Sequence, residues 1–140
     1  MTEPIALRVL VEGTAEAPAL VLDETLSFWG GFDAATGRII GRHPQAGEHV
    51  AGHVLVMPGG RGSSSSSSVL AEALRAGTGP AAIILGEPDE IIALGSLVAA
   101  ELYDVHCPVA VLDVIPAALT TGALVTITAD AGGAALRYQV

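Results

Sequence analysis

The chain has 140 residues, of which 51% are hydrophobic and 15% charged, a composition that suits one domain with a densely buried core. Fifteen acidic residues against six arginines and no lysine give a net charge of −9, which argues against nucleic acid as a partner and requires any acidic ligand to be bound locally. The single cysteine, Cys107, rules out an internal disulfide framework and cannot by itself hold a zinc ion or an iron–sulfur cluster. No apolar run reaches about 18 residues, and the first residues lack the basic region and apolar core of a secretion signal. The expectation is a cytoplasmic protein without a membrane segment, folded as one domain over residues 1–140.

In chain order, Ile5 to Gly13 alternates apolar with polar residues as a strand does, and Ala19 to Leu22 is a second strand after Pro18. Leu26 to Asp33 gathers both phenylalanines and the only tryptophan around Gly30-Gly31. Phe28, Trp29 and Phe32 either fill the core or wall a ligand cleft, since aromatic side chains bury large areas wherever they pack. A turn over Asp33 to Gly37 leads into a short strand at Arg38-Ile39-Ile40. The loop from Gly41 to Gly52 carries His43 and His49, with His53 just beyond, at spacings that match no zinc motif. His43-Pro44 is expected to shape this loop, and Val50 and Val54 to anchor its ends.

The centre of the chain is Val54 to Gly77, which reads strand, glycine turn, serine run, helix. Val54 to Met57 is a continuous apolar run suited to a strand buried on both faces, and Pro58-Gly59-Gly60 breaks it. Six consecutive serines, Ser63 to Ser68, then cap a helix whose apolar face is Val69, Leu70, Ala73 and Leu74 and whose stop is Gly77. A serine-rich linker is the other reading of the run, but linkers do not sit between a strand and a well-terminated helix. A helix N-terminus carries partial positive charge and amide donors, the glycines admit close backbone approach, and Arg61 adds a bidentate fork. The segment is therefore read as a cradle for a carboxylate or phosphate, made by Gly60, Arg61, Gly62, Ser64 and Ser65, with the Ser63 hydroxyl beside the bound anion. It is neither a Walker loop nor a dinucleotide fingerprint.

Ala81 to Leu85 completes a strand–loop–helix–strand unit with parallel pairing. Pro88-Asp89-Glu90 opens a helix over Ile91 to Leu102, interrupted by Gly95, and Val109 to Leu112 is a short strand. Leu124 to Thr128 and Ala134 to Tyr138 close the chain as an antiparallel hairpin. His106-Cys107-Pro108 admits a catalytic Cys/His reading, but a lone cysteine in an apolar stretch more commonly packs. About seven or eight strands and two helices point to a layered α/β or β/β/α domain.

The motifs Leu26 to Asp33, Gly37-x-Ile39, His43-Pro44-x-x-Gly47 and Pro58 to Ser64 together resemble the small subunit of the aconitase X family, over nearly the whole chain. The resemblance implies an α/β fold of the swivelling β/β/α kind, similar to the fourth domain of aconitase, around the central strand–Gly/Ser loop–helix–strand unit. It further implies a partner, the aconitase X large subunit, which carries an iron–sulfur cluster while this chain binds none. The reaction implied is loss of water from a small anionic hydroxy acid. Ser63, following Gly60-Arg61-Gly62, matches the serine that acts as alkoxide base in aconitase-like enzymes. Two substrates are associated with similar proteins, cis-3-hydroxy-L-proline and 5-phosphomevalonate, and the lysine-free, alanine-rich composition, which looks like that of a high-GC bacterium, points to the first. Outside the hydro-lyases, the same cradle would suit a non-catalytic anion-binding or structural module.

Overall fold

The computed structural model describes residues 2–61 and 63–140. Among these, seven strands close into a barrel in the order β1-β7-β6-β5-β2-β8-β9, with β1 also hydrogen-bonded to β9. The barrel has two walls. β8 (Leu124–Asp130) and β9 (Gly133–Gln139) form the predicted antiparallel hairpin and the core of one wall. β5 (Val54–Met57), β6 (Ala82–Leu85) and β7 (Val109–Val111) run parallel in the other.

β1 (Ile5–Val11) and β2 (Gly13–Val21) turn the corners between the walls. The first half of β1 pairs with β9 and the second with β7, across a register shift between Val9 and Val11. β2 likewise pairs antiparallel with β8 from Gly13 to Pro18 and then parallel with β5 from Ala19 to Val21. Pro18 thus lies inside a strand, where the sequence placed a boundary. It is exposed and stands at the handover between partners, the position at which a missing ladder amide is best tolerated.

The parallel strands are buried on both faces, which is why they read as unbroken apolar runs. Val54 and Val56 point into the barrel with Ile84, Ala110, Val125, Ile127 and Leu136, whereas Leu55 and Met57 face the helices. α2 (Ser65–Ala76) and α3 (Glu90–Tyr103) cover that outer face as the two parallel crossovers. The layers are therefore sheet wall, sheet wall, helices, the β/β/α order expected. Among the described residues, no helix is long and apolar enough to cross a membrane.

Gly95, which interrupts the sequence pattern of α3, is what lets the two helices meet. A Cβ there would lie 2.7 Å from the Ser67 carbonyl oxygen and 3.2 Å from Leu70 Cβ, so any larger residue would push α3 off α2. Ser96 beside it is fully buried and donates its hydroxyl proton to the Cys107 carbonyl, which ties α3 to the segment entering β7. Two short elements complete the chain: α1 (Phe28–Gly31), a single turn kinked at Trp29 and Gly30, and the ribbon of β3 (Phe32–Asp33) with β4 (Arg38–Ile39).

Candidate active site at the barrel rim

The segments after β2, β5 and β6 emerge at one end of the parallel wall. An isolated parallel bridge between Leu26 and Gly60 continues the β2–β5 pairing beyond the strands, so the 24–31 and 58–61 segments run side by side. Gly60 is fixed by its other neighbour: a Cβ would overlap the Asp89 carboxylate and come within 2.5 Å of Ile92 Cδ1. Similarly, a Cβ on Gly59 would lie 2.8 Å from Glu87 Oε1. The close approach these glycines permit is to the start of α3, within this chain.

Ser63 is exposed at the entrance to α2, and its Oγ accepts a hydrogen bond from the Ser65 amide at 3.2 Å. Ser64, at the cap position, is in the right-handed helical region (φ −58°, ψ −21°) and makes no side-chain cap bond. The Ser66 and Ser67 amides turn inward to the carbonyls of Ser63 and Ser64 at 3.0 and 3.2 Å. The Ser63 hydroxyl therefore closes a turn ahead of the helix instead of the hydroxyl at the cap position capping it as the sequence suggests, and the Ser66 and Ser67 amides expected to face a ligand are occupied. Gly62 of the predicted cradle lies outside the described residues.

The other serines differ in role by position. Ser66 is buried, and its Oγ accepts from the Trp29 amide at 3.2 Å, holding α1 against the first turn of α2. Ser67 donates back to the Ser64 carbonyl at 2.8 Å. Ser66 is thus a bracket between two segments, and the run is structured rather than a linker.

Next to this entrance is an open cleft of about 350 Å³, lined by residues 24–27, 29–31 and 40–43 together with Arg61. The aromatic trio divides here. Phe28 and Phe32 are buried edge to face with centroids 5.2 Å apart, while Trp29 is 58% exposed and lines the cleft. Arg42, His43 and Glu24 also line it, and the sequence did not single out Arg42 or Glu24. The available signal was an arginine in a Gly/Pro loop, away from any helix face where it would serve as a solvated charge.

Cys107 is buried, and burial pushes its thiol up to about 12. A cluster ligand must be a thiolate, so this side chain is unsuited to one. Among the described residues, no three His, Cys, Asp or Glu side chains gather as a ligand set. Among the described residues the three loop histidines do not gather into a ligand set, and those residues do not fit a metal ion or an iron–sulfur cluster. His43 has a structural task of its own: Nδ1 accepts from the Gln45 amide at 3.0 Å, and Nε2 lies 3.3 Å from the Glu24 carbonyl.

The fold as a whole has counterparts in known proteins. A cis-3-hydroxy-L-proline dehydratase of Pseudomonas aeruginosa is 50% identical over 109 residues, covering 77% of this chain and 19% of that longer protein. A phosphomevalonate dehydratase small subunit of Methanothermobacter thermautotrophicus is 44% identical over 93 residues, 66% of this chain and 71% of that one. The crystal structure of holo-form aconitase X from Thermococcus kodakaraensis superposes with a TM-score of 0.84 at 31% identity, covering 99% of this chain and 100% of that one. The family model described as the aconitase X swivel domain matches residues 4–136, and the chain accordingly belongs to the aconitase X swivel domain family.

Proposed function

We propose that this chain, as a single swivel domain over residues 1–140, is the small subunit of a cytoplasmic two-subunit hydro-lyase that dehydrates cis-3-hydroxy-L-proline with Ser63 as base. The observation that carries the reading is the Ser63 hydroxyl, exposed at the α2 entrance with an amide donor already on its oxygen. Serine is a very weak acid, and an oxygen that is to exist as an alkoxide needs donors and positive potential around it. The Ser65 amide, the N-terminal end of a 12-residue helix and the nearby Arg61 supply both.

In the reaction so assigned, the Ser63 alkoxide takes the proton from the carbon next to the hydroxyl-bearing carbon. The C–H electron pair becomes the C=C bond, the C–O bond breaks, and the departing hydroxide takes one proton from solvent to become water, while Ser63 returns the proton it took to solvent. Gly60, Arg61, Ser64 and Ser65 are the residues proposed to receive the substrate's anion, while Gly62, the fifth residue of that segment, lies outside the described residues. In this reading the large subunit completes the site and carries the iron–sulfur cluster.

The hydroxyproline reading draws on the Pseudomonas aeruginosa relative. A specific observation also favours a second substrate, 5-phosphomevalonate: the relatives bearing that name are small chains of which this chain covers about two thirds or more. The test is anaerobic co-purification with a large subunit from the same genome, followed by assay of both substrates in parallel. Turnover of cis-3-hydroxy-L-proline alone is the expected outcome; turnover of 5-phosphomevalonate alone reassigns the substrate, and a loaded complex inert to both refutes both assignments.

A further inference from the structure

We propose that the cleft beside α2 is built for an amino-acid zwitterion, with Arg42 and Arg61 receiving its carboxylate and Glu24 its ammonium; this rests on, and narrows, the hydro-lyase reading above. Of the chain's six arginines, Arg75 is engaged by Glu72, which holds the Glu72 carboxyl below its usual range, and Arg8 lies 4.0 Å from Asp113. Arg42 and Arg61 instead share one cleft and, among the described residues, form no ion pair. Two arginines lining one cleft of a chain of net charge −9 give that cleft locally positive character, suited to a carboxylate.

Among the described residues, Glu24 is the only carboxylate of the lining. A phosphate ester that also bears a carboxylate would be served by cations alone, and an acid in its cleft would repel it. A zwitterion's ammonium gives that acid a partner. The exposed indole of Trp29 adds a face on which a secondary ammonium can rest.

Both walls are set without a ligand. The Gln45 amide donates to His43 Nδ1, which places the ring proton on Nε2 and lets it donate to the Glu24 carbonyl. Gln45 spans the base of that segment, its Oε1 accepting from the Asp23 amide at 3.0 Å and its Nε2 donating to the Val21 carbonyl at 3.1 Å. Opposite, Ser66 holds the Trp29 amide and the Ser27 hydroxyl donates to the Trp29 carbonyl at 2.8 Å. The backbone that carries Glu24 and Trp29 is thereby tied on both sides, which limits the freedom it loses on binding.

The experiment is calorimetric titration of the reconstituted two-subunit complex with L-proline, which has the carboxylate and ammonium but no hydroxyl to lose, and with inorganic phosphate. Expected is saturable L-proline binding that Glu24→Gln weakens about tenfold, with phosphate binding unchanged or tighter, and that Arg42→Gln also weakens. Absent L-proline binding, tighter phosphate than L-proline binding in the parent complex, or indifference to Glu24→Gln overturns the assignment. Because L-proline cannot be dehydrated, the titration is independent of turnover: binding as expected without dehydration of cis-3-hydroxy-L-proline refutes the reaction and keeps the cleft.

Discussion

Helices α2 and α3 cross over the same parallel wall and begin at the same end of the barrel, yet their first turns are closed differently. At α3, Asp89 is extended (φ −140°, ψ 112°) and its carboxylate accepts from the Ile92 amide at 2.9 Å, so a full negative charge meets the positive end of the helix. At α2 there is no acid in the first turn, and the Ser65 amide goes to a neutral hydroxyl, that of Ser63. An aspartate cap cancels the potential of a helix end. A serine satisfies one amide and leaves the potential in place, directed at its own oxygen. The proposed role of Ser63 as an alkoxide base rests on that difference.

The largest expected effect follows directly. Ser63→Ala removes the oxygen and should lower kcat of the reconstituted complex by about 10²- to 10⁴-fold, the range for loss of a positioned base, with the complex intact by gel filtration. Turnover within a few-fold of the parent enzyme would erase the proposed distinction between the helix starts. Gly95→Ala tests whether those starts must be held in register. Its Cβ would press on the Ser67 carbonyl and Cα, 2.7 and 3.1 Å away, and overpacking of this kind should cost about 1–3 kcal/mol in chemical denaturation.

How much of this was legible beforehand depended on whether one residue's neighbours in sequence were also its neighbours in space. Val54 to Met57, the helix ended by the left-handed Gly77, the Asp89 helix start and the closing hairpin are local patterns, and each was read within a residue or two of its place. Closure of the barrel through β1 was not, because pairing of Ile5 with Leu136 leaves no mark on either strand. Nor could the pattern show that Phe28 turns inward while Trp29, one residue on, turns out at a kink. Gly95 looked like a defect because the Ser67 backbone it accommodates lies a whole crossover away. At the site, the Gly/Ser loop was legible as chemistry, whereas the cleft needed Glu24, Arg42 and Arg61, which three separate segments contribute.

Between the two helix starts lies Ser66, and it should produce a moderate effect of a distinct kind. Ser66→Ala leaves the part-buried Trp29 amide without its acceptor, at about 1–2 kcal/mol of stability. Trp29 is the only tryptophan of the chain, so the emission of the isolated chain should shift as its segment loosens from α2. In the reconstituted complex, a rise in KM with kcat held would identify a bracket for the cleft wall. A fall in kcat with unchanged emission would instead place Ser66 with Ser63 in the chemistry.

The smallest effect sharpens the comparison from the α3 side. Asp89→Ala removes the carboxylate that caps α3 and should cost about 1 kcal/mol, a drop of a few degrees in melting temperature. Asp89→Asn keeps an oxygen able to accept from the Ile92 amide and should recover most of that loss, since asparagine caps about as well as aspartate. The contact between Asp89 and the space above Gly60 adds a condition on activity: the alanine variant vacates volume beside the loop that leads to Ser63, and the asparagine variant fills it. Turnover in the complex should therefore survive Asp89→Asn within a few-fold. If asparagine restores stability but turnover falls as far as in Ser63→Ala, the charge at α3 acts on the reaction, and the two helix starts form one electrostatic unit rather than a cap beside a site.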